Sequence, residues 1–158
     1  MGVSYPGGKS PEKAARAFAA MMRRSENLTP AMKVGAEAIV RLIANTFQKS
    51  ASPTGVKWKG LDPETVKKRK KNSDKPLLDS TRLSRSLLNA SYGARSIRFG
   101  TNVEYAGYQQ FGTRYIPARP FMPITRDGQL TDDAGPAKLV FDRIAAQVGS
   151  FIVNGRLR

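Results

Sequence analysis

Tyr105-Ala106-Gly107-Tyr108-Gln109-Gln110-Phe111-Gly112-Thr113, continued by Arg114 and Tyr115 into Ile116-Pro117-Ala118-Arg119-Pro120-Phe121-Met122, is the stretch on which the reading of this chain turns. Tyr105, Tyr108 and Phe111 recur every three residues, which is helical spacing, and Gly112 halts the helix. Beyond it, Pro117 and Pro120 fix their own φ and disfavour the helical region for the residue before each, so this half runs extended. A short helix feeding an extended segment argues for an α+β fold. Tyr and Arg supply large area and a planar hydrogen-bonding fork at low entropic cost, which enriches them at protein interfaces. Tyr105, Tyr108, Gln110, Phe111, Arg119 and Phe121 are therefore the candidate subunit-interface residues. The plainer reading of an aromatic stripe at this spacing is interior packing. Arg119, held between two prolines, has its stem aimed in advance, and the specific expectation is a bridge to a carboxylate across a subunit boundary.

Upstream, Ala90 onward reads as strand. Ser91-Tyr92 and Ser96-Ile97-Arg98-Phe99 flank the turn Gly93-Ala94-Arg95 and form a hairpin. Two strands alone are not stable, so Ile116 to Ile124 is expected to widen the sheet at an edge, where its prolines can be tolerated. The helices that cover this sheet are legible on both sides. Thr29 with Pro30 opens a helix in which Met32, Ala36, Ile39, Leu42, Ile43 and Phe47 share one face while Lys33, Glu37, Arg41 and Lys49 point away. Pro136 opens a last helix bearing Leu139, Val140, Phe141, Ile144, Val148, Phe151 and Ile152. The expected architecture is a small antiparallel β-sheet packed by a long helix and a C-terminal helix.

Shorter elements fill the rest. Asp62 and Pro63 start a helix that runs into Lys67-Lys68-Arg69-Lys70-Lys71, and a cap at Asp79 or Ser80 starts another with Leu83, Leu87 and Leu88. Met1 to Lys9 is turn-rich. Ser10 and Pro11 open an alanine-rich helix whose stripe of Phe18, Met21 and Met22 is too small to hold it alone in water. Residues 1–27 are accordingly read as an N-terminal arm and 28–158 as a single domain.

The 158 residues contain neither cysteine nor histidine. Disulfides, thiolate metal sites, cysteine nucleophiles, the usual general base and the commonest zinc ligand are all removed at once. Gly8-Lys9-Ser10 echoes a phosphate-binding loop, but Val3 stands where that loop needs glycine, and no nucleotide site is expected there. Asp132 and Asp133 are too few for a calcium site, and no base exists to activate Ser80, Ser84 or Ser86. No enzyme, cofactor or metal is expected. No apolar run approaches the roughly 18 residues of a membrane span, and a soluble, unexported chain is expected. The net charge is +15, and the first 126 residues hold all of the excess. A polyanion, nucleic acid or an acidic protein face, is the natural partner. Lys67, Lys68, Arg69, Lys70 and Lys71 are the candidate contact, against the plainer reading of a solvated helix end.

The same landmarks resemble those of the virion morphogenesis, or tail completion, family of tailed bacteriophages. That family carries a "YA..hQfG" stretch running into "ARPF", here Tyr105 to Gly112 and Ala118 to Phe121. Trp58-Lys59-Gly60-Leu61, Pro63-Glu64-Thr65, Lys70, the run Leu78, Ser80-Thr81-Arg82-Leu83, Ser86-Leu87, and Phe99-Gly100-Thr101-Asn102 precede them in the family order. The resemblance covers roughly residues 28 to 126. It departs at Gln109, often histidine in the family, and at Ser80-Thr81, usually Ser-Gly. It implies a structural protein of the phage neck, a homo-oligomeric ring, sixfold by analogy with phage tails, that completes the tail and joins it to the head around the DNA channel. Other neck and tail proteins would be its partners, and it would be found in the virion and, during assembly, in the host cytoplasm. The alternative is a basic nucleic-acid-binding protein acting outside the particle, using the 57–75 segment and the aromatic block.

Overall fold

The structure, a computed structural model, describes residues 10–131 and 133–157. The irregular segment expected over residues 1–9 and the carboxylate of Asp132 lie outside the described residues. Within them the chain is α+β, with helices α1 (Pro11–Glu26), α2 (Thr29–Lys49), α3 (Pro63–Lys68), α4 (Arg82–Ser86), α5 (Ala106–Phe111) and α6 (Gly135–Asn154), and strands β1 (Ala90–Tyr92) and β2 (Ile97–Phe99).

Helix α2 is the axis of the molecule. Pro30 sits in its first turn, where the missing N–H costs nothing, and Ser50 ends it in the left-handed region. Ala36, Ile39, Leu42, Ile43 and Phe47 are buried along it, as their spacing predicts. The hairpin pairs antiparallel with Ala90 opposite Phe99 and Tyr92 opposite Ile97, and both strands pack on α2. Gly35 makes this close approach possible. A Cβ there would meet Ile97 Cδ1 at 2.8 Å and Ile144 Cγ2 at 3.3 Å, one atom from the sheet and one from α6. The core joins Ile39, Ile43 and Phe47 to Trp58, Leu83, Leu87, Val103, Ala106 and Phe121. Phe47 stands edge-on to Trp58 at 5.7 Å and tilted against Phe121 at 5.6 Å.

Among the described residues the sheet has two strands and no third. Residues 116–124 form no helix, as the prolines require, but they bend at 116 and at 122–123 and do not join the ladder. Prolines at 117, 120 and 123 remove three donors, so an edge pairing would leave gaps. The segment is bound by a helix instead. The basic stretch also differs from its expectation: α3, capped by the Asp62 carboxylate accepting from Glu64 N–H at 2.9 Å, stops at Lys68 rather than continuing through Lys71.

Helix α6 starts on the loop after α2, where Ala137 N–H donates to Pro53 C=O at 2.9 Å, and runs back antiparallel to α2. Its last turn has no basic residue of its own. Arg24 of α1 fills that place, its Nη1 donating to the carbonyls of Ile152 and Val153, each at 2.9 Å. A cation bonding the orphan carbonyls of a helix end is favourable both as a hydrogen bond and against the dipole. Helix α1 thus lies on α6, yet none of its residues is buried, and Phe18 and Met22 stay exposed.

Candidate functional site

The block 105–124 folds as a helix that grips the segment following it. Ala106 and Gln110, four apart, form the buried face of α5, while Tyr105 and Tyr108 point to solvent. This inverts ordinary amphipathy: the glutamine is inside and the tyrosines outside. The Gln110 Oε1 accepts from the backbone N–H of Phe121 at 2.9 Å and of Met122 at 3.0 Å. Its Nε2 donates to the carbonyls of Met122 at 3.0 Å and Ile124 at 3.2 Å. One carboxamide thereby supplies the pairing that a neighbouring strand would otherwise give. The chain returns to α5 through Gly112, whose φ of +71° is a glycine conformation and whose Cβ would press on backbone at Ile116 and Ala118. Gln109 C=O then accepts from Arg119 N–H at 2.8 Å.

Arg119 is 7% exposed. Its Nε donates to Lys59 C=O at 3.0 Å and its Nη2 to Gly60 C=O at 2.9 Å. Trp58 Nε1 donates back to Pro120 C=O at 2.8 Å. The two strips of chain, 58–60 and 119–120, are therefore cross-bonded by a side chain from each. Burial, and secondly the like charge of Arg69, lower the guanidinium's pKa below its ordinary value, and two carbonyl oxygens compensate part of the lost hydration.

Of the six residues read from the sequence as a subunit interface, Gln110, Arg119 and Phe121 make their contacts inside the subunit. Phe121 is fully buried in the core, and the donors of Arg119 aimed at Lys59 and Gly60 are not available to a carboxylate on a neighbour. The sequence reading missed this because Tyr and Arg follow the same rigid-segment logic in a core lock and at an interface. The spacing of Ala106 and Gln110, beside a proline-rich segment with few donors of its own, was the signal that could have found it. Phe111 is half-buried with Arg126 stacked over its ring at 5.7 Å. Tyr105 and Tyr108 remain outside at 38% and 60% exposure, and Tyr115, which the sequence did not single out, is more exposed still.

The five cations separate. Lys67, Lys68, Lys70 and Lys71 are exposed. Arg69 turns inward, donating to Lys75 C=O at 2.9 Å and lying 4.0 Å from Asp79. Lys68, Arg69, Lys70 and Lys71 border a shallow notch with Thr65 and Asp79. Among the described residues no cluster of carboxylates could hold a metal ion, and no helix is long and apolar enough to cross a membrane.

These observations define an α+β chain whose distinctive block is a structural lock carrying an exposed aromatic face and a separate basic patch. The phage virion morphogenesis family model matches residues 10–133, and the chain belongs to that family. The Mu-like prophage FluMu G protein 1 of Haemophilus influenzae is 35% identical over 85 residues, 52% of this chain and 58% of that relative. The chain is thus matched to less than two thirds of the relative's length. No solved structure matches it.

Proposed function

We propose that this protein is a structural component of the phage neck, a homo-oligomeric ring that completes the tail and joins it to the head around the DNA channel. Family membership supports particle assembly as the setting. The single observation that carries the finer reading is the exposed pair Tyr105 and Tyr108, at the cap and on the outer side of a helix that Gln110 and Gly112 anchor, with Tyr115 exposed on the loop that follows. Large, stiff aromatics on a fixed support lose little entropy on association. Gln110, Arg119 and Phe121 act beneath this face and keep its shape. Head-to-tail contacts between copies, sixfold in this reading, close the ring, and other neck and tail proteins bind its two rims.

The doubly substituted Tyr105→Ala/Tyr108→Ala chain tests this. Its melting curve should match the native chain, while its mass in solution and its yield of joined particles should fall. Full assembly by that variant would remove the aromatic face from the interface. A second reading, nucleic-acid binding outside the particle, draws on the four exposed lysines of 67–71. In the ring reading the same lysines face channel DNA or an acidic neighbour.

A further inference from the structure

Helix α6 is apolar nearly all round, with Lys138, Asp142 and Arg143 its charged residues. A helix of that composition is ordinarily interior. Here Ala137 is its one buried residue, and Leu139 is 71% exposed. Against α2 it leaves an open groove of about 1360 Å³. The apolar floor includes Val34 and Leu42 from α2 and Leu139, Val140 and Val153 from α6. The groove follows α2 from Val34 to Lys49 and α6 from Pro136 to Asn154, which at 1.5 Å per residue is roughly 25 Å, room for between four and five helical turns.

Charge selects the occupant. The rim carries exposed Arg41, Lys49, Lys57 and Arg143 against one acid, Glu37. Among the described residues none of these four cations is ion-paired with a carboxylate. A second copy could offer two exposed apolar helices, α1, with Lys13, Arg16, Arg23 and Arg24 against Glu12 and Glu26, and α6 itself, with Lys138 and Arg143 against Asp142. Either would bring net like charge to the rim. We infer that the α2/α6 groove receives an amphipathic helical segment of a different protein, its apolar stripe on Val34, Leu139, Val140 and Val153 and its flanking carboxylates on Arg41, Lys49 and Arg143. This reading stands on the groove and its rim, independently of the ring.

The test uses the full chain and three fluorescein-labelled synthetic peptides of about 18 residues, a helix length that fits the groove. The first has a leucine and alanine stripe flanked by glutamates, the second has lysines for the glutamates, and the third has the composition of the first in an order without a stripe. The striped acidic peptide should bind about tenfold or more tighter than either of the others. Arg41→Glu/Arg143→Glu and, separately, Leu139→Asp should each weaken it by about tenfold, whereas Lys67→Glu/Lys68→Glu, away from the groove, should change it by less than about twofold. All these positions are exposed, and unchanged melting curves exclude misfolding. Equal binding of the third peptide, no binding of the first, or insensitivity to the groove variants overturns the inference. So does Leu139→Asp dissociating a self-associated form of the chain, which would make a second copy the occupant. Full assembly by the Tyr105/Tyr108 variant with peptide binding intact would sink the ring reading alone, whereas loss of striped-peptide selectivity in a chain that still assembles would sink the groove reading alone.

Discussion

The side-chain oxygen of Gln110 accepts the backbone N–H of Phe121 at 2.9 Å, fastening the proline segment to helix α5 and seating the Phe121 ring against Phe47. With its three other bonds to Met122 and Ile124, this one side chain satisfies four main-chain groups. Its loss cannot be repaired by water in a buried site.

Gln110→Leu should therefore destabilise the chain by about 3–5 kcal/mol, lowering the melting temperature by about 10–15 °C. Gln110→Glu keeps the acceptor and loses the donor while it is ionised. Since only the protonated carboxyl can donate to a carbonyl, its deficit relative to the native chain should shrink as pH falls. Thermal melts across pH check both, and a Leu variant as stable as the native chain would remove Gln110 from the core.

Arg119→Ala should unfold more easily, by about 2–3 kcal/mol, since it leaves the carbonyls of Lys59 and Gly60 unpaired where the guanidinium bridged them. Arg119→Lys should recover less than half, because an ammonium does not reproduce the planar fork. A denaturant melt measures both. A fully stable Arg119→Ala chain that fails only to assemble would return the residue to the interface.

Thr81 stands at φ +57°, left-handed, at the start of α4. A β-branched residue pays about 1–2 kcal/mol there, and its carbonyl, rather than its side chain, makes the local bonds to Ser84 and Arg85. Thr81→Gly should raise stability by about 0.5–1 kcal/mol after the greater freedom of glycine in the unfolded chain is counted. This is the position where the family usually has glycine. A lower melting temperature for the variant would mean that the threonine side chain contributes in the folded chain.

Arg24→Ala should cost about 0.5–1.5 kcal/mol and loosen the last turn of α6, which hydrogen exchange at Gly155 will report. Because α1 buries no residue of its own, deleting residues 1–26 should lower the melting temperature no further than Arg24→Ala does. A much larger loss would make α1 part of the core.

Neutralising Lys67, Lys70 and Lys71 should flatten the salt dependence of DNA binding by about two to three units on a log–log plot, if phosphates are their partners. An unchanged slope would leave these side chains as a solvated face.

The sequence by itself determined the α+β class, the long helix 29–49 and its buried face, the hairpin and its turn, and the absence of catalytic thiol and imidazole. These follow from local rules: spacing at 3.6 or 2 residues, proline and glycine geometry, and composition. It also carried the family landmarks, though not their work. Only the tertiary structure decided that Trp58 and Arg119, about sixty residues apart, bond each other's backbone neighbourhoods, that Gln110 replaces a third strand, and that α6 lies half-uncovered. A side chain's donors are the same whether they meet a carbonyl of the same chain or a partner's carboxylate, so residue type and local spacing cannot choose between core and interface. That choice depends on which distant segment the packing of α2, the hairpin and α5 brings within hydrogen-bonding distance.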